Sequence, residues 1–237
     1  VQPIAEIARL ARERKIPFHT DAVQSAGKLP LNVAELGVVL LSLSAHKIYG
    51  PKGVGALYIR RGLPLKPLMF GGHHERDRRP GTENVAGIVG FGMAAERAAA
   101  HLAEEASRLA GLRDELERRI LECVPHAGRN GDPARRTPNT ANLYFDFIDG
   151  EPLVIALDLK GIACSTGAAC SAGAVEPSHV LTAIGLPPER ARASLRFSLG
   201  RSNTRDEVDY VADTLPGVVE HLRELSPLYK RPVAARA

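Results

Sequence analysis

The chain has 237 residues and a mass of 25.4 kDa, enough for one large domain or two modest ones. Its 44% hydrophobic and 24% charged residues are ordinary globular proportions, which exclude collagen-like and wholly disordered chains. A net charge of +4, only 5% aromatic residues and no aromatic-studded basic block argue against a nucleic-acid module, and the longest apolar run, 38–43, is far shorter than the ~20 residues of a membrane span.

In chain order, Pro3 opens an amphipathic helix with Ile4, Ile7, Ala8, Leu10 and Ala11 on one face. A strand-like stretch follows at 16–21. No strand precedes that helix, as though a βαβ series were joined at its middle, so the sequence is expected to be the later part of a longer protein. Further strands are expected at 38–44 and, after the Gly50-Pro51 turn, at 55–60, giving a mostly parallel buried sheet. The segment 71–81, rich in Gly and Arg, is too polar for a core and too long for a tight turn, so it reads as an ordered functional loop or interface arm. A long helical stretch, 84–122, is interrupted chiefly by Gly111 and ends before Pro125. Beyond it come a strand at 142–147, a helix at 151–159, strand-like residues 161–165, a strand at 193–198 and a last helix started by the capping box Thr204-x-x-Glu207. The expected fold is α/β: residues 1–122 form part of a large domain with a linking helix, and 123–237 form a small α+β domain.

Chemistry concentrates in Ser44-Ala45-His46-Lys47-Ile48-Tyr49-Gly50-Pro51-Lys52-Gly53, at the carboxyl end of a strand, where open α/β sheets bind ligands. An amine held there and partly desolvated would favour the neutral nucleophile that forms a Schiff base. Ser44 and His46 are suited to hold a phosphate, and Asp21 ends the preceding strand on the same rim, placed to keep a pyridine nitrogen protonated. The plainer readings are a solvated Lys47 and an Asp21 that caps a turn. Three cysteines, Cys123, Cys164 and Cys170, form no Cys-x-x-Cys pair, which points to free thiols in a reducing, cytoplasmic setting. Their spacing to His73 and His74 matches no zinc pattern, so no metal is expected.

Several of these motifs together resemble the pyridoxal-phosphate enzymes of the class V aminotransferase family, fold type I, and within them the cysteine desulfurases. The resemblance is carried by HTDAVQSAGK at 19–28, SAHKIYGPKGVGALYIRRG at 44–62, GGHHERDRRPGTENV at 71–85, CSTGAACSAG at 164–173, EPSHVL at 176–181 and RFSLGRSNT at 196–204. It implies that Lys47 bonds the cofactor, Asp21 partners its pyridine nitrogen, Gln24 donates to its phenolic oxygen, and Ser44 and His46 bind its phosphate. Thr82 would reach the phosphate of a second subunit's cofactor in a homodimer. Cys170 would be the thiol that takes sulfur from L-cysteine, leaving alanine and a persulfide destined for an iron–sulfur scaffold or a thiolation pathway, and Arg196 would clamp the substrate carboxylate. Cys164 and Cys123 are expected to be structural. His73, Pro80 and Ala168 depart from residues common in the family at those positions. The family's glycine/threonine phosphate loop, ring-stacking imidazole and asparagine precede its first helix, and no segment here matches them. The chain alone is therefore expected to hold pyridoxal phosphate weakly and to be nearly inactive, with an exposed sheet edge prone to pairing. Rival readings are a selenocysteine lyase or class V aminotransferase, and a non-catalytic binding or assembly module.

Overall fold

The computed structural model describes residues 1–166 and 177–229, so Cys170 and its neighbours lie outside the described residues. The chain divides into two compact units, Val1–Glu105 and Ala106–Ala237. No helix among the described residues is long and apolar enough to cross a membrane.

In the first unit, helix α1 (Ile4–Glu13) precedes strand β1 (His19–Asp21), the short helix α2 (Val33–Leu36), strand β2 (Leu40–Ser44), a 3-10 turn (Ala45–Ile48) and strand β3 (Gly55–Ile59). Strand β1 pairs with β2 in parallel, Asp21 opposite Ser42, and β2 pairs with β3 antiparallel, Ser44 opposite Gly55. The α/β class holds, with one difference from the sequence reading: the second ladder of this sheet is antiparallel. The connection from Ile48 to Gly55 is too short for the crossover a parallel neighbour requires, so the chain turns straight back.

One face of this sheet packs on α1 and α2 through a small core of Ala8, Ala22, Val38 and Leu41. Of the apolar positions expected on one face of α1 only Ala8 is buried, while Ile7 and Leu10 remain partly exposed. Helix α3 (Val85–Ala100) supports the turn after β2 with a stripe of small residues at helical spacing. A Cβ placed on Gly50 would lie 3.1 Å from the Ala94 methyl, and one on Gly90 would lie 3.1 Å from the Pro51 ring. The close approach of helix and turn depends on these side chains being small.

The expected long helix is two helices, α3 and α4 (Leu102–Cys123), and the break falls at His101 rather than Gly111. Glycine in a helix interior costs only about 1 kcal/mol relative to alanine. The cost at Gly111 is outweighed by burial of Leu109, Leu116 and Ile120 from the same helix.

The second unit is built on strands β4 (Ala127–Arg129), β5 (Thr140–Phe145) and β6 (Ser194–Ser198), paired antiparallel in that order. Alternate residues of β5, Ala141, Leu143 and Phe145, enter a core with Leu195 and Phe197 of β6. Helix α5 (Gly150–Asp158) adds Leu153 and Leu157, and α8 (Arg205–Leu225) adds Val208, Ala212, Leu215 and Val219. Two short helices, α6 (His179–Ala183) and α7 (Pro188–Arg192), lead into β6. The capping box forms as the sequence requires: the Glu207 amide donates to Thr204 Oγ1 at 3.3 Å, and the Thr204 amide donates to the Glu207 carboxylate at 3.0 Å. Within α4 the fully buried Glu117 carboxylate is matched by Arg129 Nε at 2.8 Å and by the Arg136 guanidinium, so this charge is paired rather than free for chemistry.

Candidate active site

The open face of the first sheet carries the polar residues. Because side chains alternate along a strand, His19 and Asp21 of β1 share a face, as do Ser42 and Ser44 of β2. His19 and Asp21 are exposed on either side of the buried Thr20. A bond of 2.8 Å between His19 Nε2 and Ser42 Oγ ties the two strands on that face. Asp21 is fixed at the strand end by accepting the Val23 amide at 2.9 Å, a turn contact that leaves one carboxylate oxygen for another partner. Gln24 follows on the exposed side of the same turn.

At the end of β2 the chain enters the 3-10 turn with an alternation of its own: Ala45 and Ile48 are buried, whereas His46 and Lys47 are exposed. Tyr49 closes the turn in the left-handed region, φ 66°, and the Gly50 amide returns to the Ala45 carbonyl at 2.8 Å. Ser44 Oγ lies 2.7 Å from His46 Nδ1, which presents a hydroxyl and an imidazole side by side next to the Lys47 amine. The rim thus holds a primary amine, a hydroxyl–imidazole pair and a carboxylate on the adjoining strand. Lys47 is exposed, because the turn buries Ala45 and Ile48 and directs the lysine outward.

Thr82 is exposed at the end of the 71–82 segment, where the Arg79 guanidinium donates to the Gly81 and Thr82 carbonyls at 3.0 and 3.2 Å. Within that segment Glu75, Arg76 and Asp77 all have positive φ, a conformation that side chains adopt at a cost and that recurs at functional segments. His73 Nδ1 pairs with Asp77 Oδ1 at 2.5 Å.

In the second unit Arg196 stands in β6 opposite Asn142. Its backbone exchanges two hydrogen bonds with Ser165, 2.6 and 3.2 Å, which anchors the chain shortly before residue 167. The Arg196 Nε is buried without a hydrogen-bond partner, a donor that an anionic ligand would satisfy. Cys164 is half-buried against the core, and burial, with a smaller contribution from Asp158, pushes its thiol up to about 11, as fits a structural rather than a reactive sulfur. Cys123, by contrast, is exposed at the end of α4 and is not a core residue. No cluster of metal ligands occurs among the described residues. A cavity of about 920 Å³ between α5 and α8 is lined mainly by apolar side chains such as Ile155, Leu159, Val218 and Leu222 and contains none of the residues above.

The model of the aminotransferase class-V family matches residues 1–211. The chain belongs to that family. Its members use pyridoxal phosphate, and the donor set on the first sheet fits that group: an amine for its aldehyde, a carboxylate for its ring nitrogen and a hydroxyl–imidazole pair for its phosphate. The chain is 49% identical over 235 residues to a cysteine desulfurase of Gluconacetobacter diazotrophicus, covering 99% of this chain and 59% of that protein. Among solved structures it is similar to a NifS-like protein at 37% identity and a TM-score of 0.84, covering 94% of this chain and 58% of the other. It is also similar to SspA, solved in complex with cysteine, at 40% identity and a TM-score of 0.68, covering 84% and 55%. The chain therefore spans somewhat over half the length of these relatives.

The motif spacing located Asp21, Ser44, His46 and Lys47 on one rim. It did not reveal the His19–Ser42 bond, whose signal was the matching parity of a histidine and a serine on neighbouring strands, nor the unpartnered Nε of Arg196.

Proposed function

We propose that this chain carries the lysine, carboxylate-clamp and thiol portion of a pyridoxal-phosphate-dependent cysteine desulfurase. The observation that carries the reading is the grouping of Lys47, Ser44, His46 and Asp21 on one sheet rim, with the buried, unpartnered Nε of Arg196 as an independent anion donor. The similarity to a protein named cysteine desulfurase, and to one solved with cysteine, supports L-cysteine as the substrate.

Lys47 would bond the cofactor, which supplies the electron sink. Asp21 would hold the ring-nitrogen proton, and Gln24 would donate to the phenolic oxygen. Ser44 and His46 would hold the phosphate. Arg196 would orient the substrate carboxylate with two parallel donors, a geometry a lysine does not offer. The Cys170 thiolate would attack the sulfur of the bound cysteine. The S–S bond forms as the C–S bond breaks, its electron pair stays on carbon, and that carbon takes a proton and leaves as alanine. The persulfide on Cys170 would pass to an iron–sulfur scaffold or a thiolation acceptor.

A homodimer fits the surface of the first unit. Val85, Val89 and Met93 form an exposed apolar stripe on α3, and Leu68 and Phe70, 96% and 86% exposed, precede the segment that ends at Thr82. Such side chains call for a covering partner, and Thr82 would then serve the second copy's cofactor.

The test is to supply pyridoxal phosphate in excess with L-cysteine and map persulfide by mass spectrometry while measuring alanine. The reading predicts persulfide on Cys170 and an equal amount of alanine. Preferential turnover of selenocysteine would indicate a lyase, keto-acid formation an aminotransferase, and cofactor binding with no turnover of any amino acid a binding module.

A further inference from the structure

The second sheet turns Ala141, Leu143, Leu195 and Phe197 into its core, so Asn142 of β5 and Arg196 of β6 lie on its other face, directly across from one another. The backbone of Arg196 exchanges its two hydrogen bonds with Ser165, on the side away from β5. Asn142 and Arg196 therefore form a pair of the non-hydrogen-bonded kind, in which opposed side chains approach most closely, with Cβ atoms ~4.5–5.5 Å apart. Asparagine is depleted in strands, and this one occupies the central strand of the sheet. A hydrogen-bond chain fixes which end of its amide points outward. Ser194 Oγ, on a fully buried residue, donates to the Arg190 carbonyl at 2.6 Å, so in its 2.8 Å contact with Asn130 it must accept from Nδ2. Asn130 Nδ2 also donates to Asn142 Oδ1 at 2.6 Å, and the Asn130 amide donates to the Asn142 carbonyl at 2.9 Å.

With its oxygen taken by Asn130, Asn142 presents its Nδ2 donor, which meets no acceptor among the described residues. Across from it the Arg196 Nε is buried with no hydrogen-bond partner. Two unspent donors, one neutral and one cationic, thus stand side by side on facing positions and call for an acceptor with more than one lone pair. We propose that Asn142 is a second contact to the substrate's α-carboxylate, beside the Arg196 guanidinium, and so helps select the amino acid over the corresponding amine. The proposal rests on reading Arg196 as the carboxylate clamp. One cation matches the single charge of a carboxylate, and the amide adds a directed hydrogen bond without a second charge to desolvate. An asparagine that served only to tie β4 to β5 would be indifferent to any ligand.

Side-chain NMR of the unmodified chain tests the proposal with saturating L-cysteine, mercaptopropionate and cysteamine. Mercaptopropionate keeps the thiol and carboxylate but lacks the amine, whereas cysteamine keeps the thiol and amine but lacks the carboxylate. The Asn142 Nδ2 and Arg196 Nε resonances should shift together, at one half-saturation concentration, for L-cysteine and mercaptopropionate and not for cysteamine. Asn142→Ala should weaken mercaptopropionate binding, read at Arg196, about tenfold, as loss of a hydrogen bond to a charged group requires. Asn142→Asp keeps the shape and the bond from Asn130 but not the outward donor, and should weaken binding at least as much. If Asn142→Asp binds like the unmodified chain, the residue acts only through the sheet and the contact is refuted. If Asn142→Ala binds like the unmodified chain, or Arg196 shifts with the carboxylate probes while Asn142 does not, the contact is refuted and the Arg196 clamp stands. If cysteamine shifts both resonances as L-cysteine does, or no probe shifts either, the contact and the clamp both fail.

Discussion

In the second unit the sheet β4–β5–β6 turns Leu143, Phe145, Leu195 and Phe197 into a core closed by α4, α5 and α8. In the first unit the sheet β1–β2–β3 buries one face thinly and presents His19, Asp21, Ser42 and Ser44 on the other. Both sheets follow the same alternation of side chains. Where the outward positions are polar, the sheet offers chemistry, and where both partners of a layer are large and apolar, it offers stability. Substitutions that disturb cofactor binding should therefore fall on the first sheet, and the most destabilising ones in the core of the second unit.

The largest expected effect lies on the open sheet. Lys47→Ala should remove the cofactor's visible band completely, while the denaturant midpoint moves little, because an exposed side chain without a partner contributes within about 0.5 kcal/mol to stability. A large loss of stability in that variant would break the comparison. In the second unit Phe145→Ala should cost about 3–5 kcal/mol in chemical denaturation, whereas Leu57→Ala on β3, where the side chain is 46% exposed, should cost far less. Equal costs would show that the first sheet is as well packed as the second.

Two smaller effects sharpen the contrast within the second unit. Thr204→Ala should lower stability by about 1 kcal/mol, and Thr204→Ser should restore most of it, since the capping box needs only a hydroxyl at that position. The smallest effect concerns pH. The folded-state thiol of Cys164, near 11, lies above its unfolded value of ~8.5, so the folded chain retains a proton that the unfolded chain releases. The stability this provides is fully present below about pH 8.5 and is lost as pH rises through the folded value. Denaturant midpoints measured up that range should fall more steeply for the unmodified chain than for Cys164→Ala. Alkylation of Cys164 should also lag behind that of the exposed Cys123 at neutral pH.

Local rules made much of this legible in the sequence. The Thr204-x-x-Glu207 box started α8 where expected, and the apolar run before Ser44 gave β2. Strand β4 escaped notice because it is three residues long and centred on Gly128, where any Cβ would collide with the Tyr144 ring. Its existence depends on a cross-strand neighbour rather than on its own pattern. The antiparallel turn of β3 and the break at His101 were likewise set by connection length and burial, which single residues do not encode. At the site, motif spacing placed Asp21 and Lys47 at strand ends but could not report exposure. Lys47 faces outward because its neighbours Ala45 and Ile48 take the inward positions.

The most direct test of the Lys47 rim as the cofactor site is borohydride reduction of the chain in the presence of pyridoxal 5′-phosphate, followed by peptide mapping. The account predicts that the reduced pyridoxyl label is found predominantly on Lys47, is abolished by Lys47→Ala and is weakened by Ser44→Ala and His46→Ala. Label spread evenly over exposed lysines such as Lys15 and Lys52, or concentrated on another residue, would contradict it.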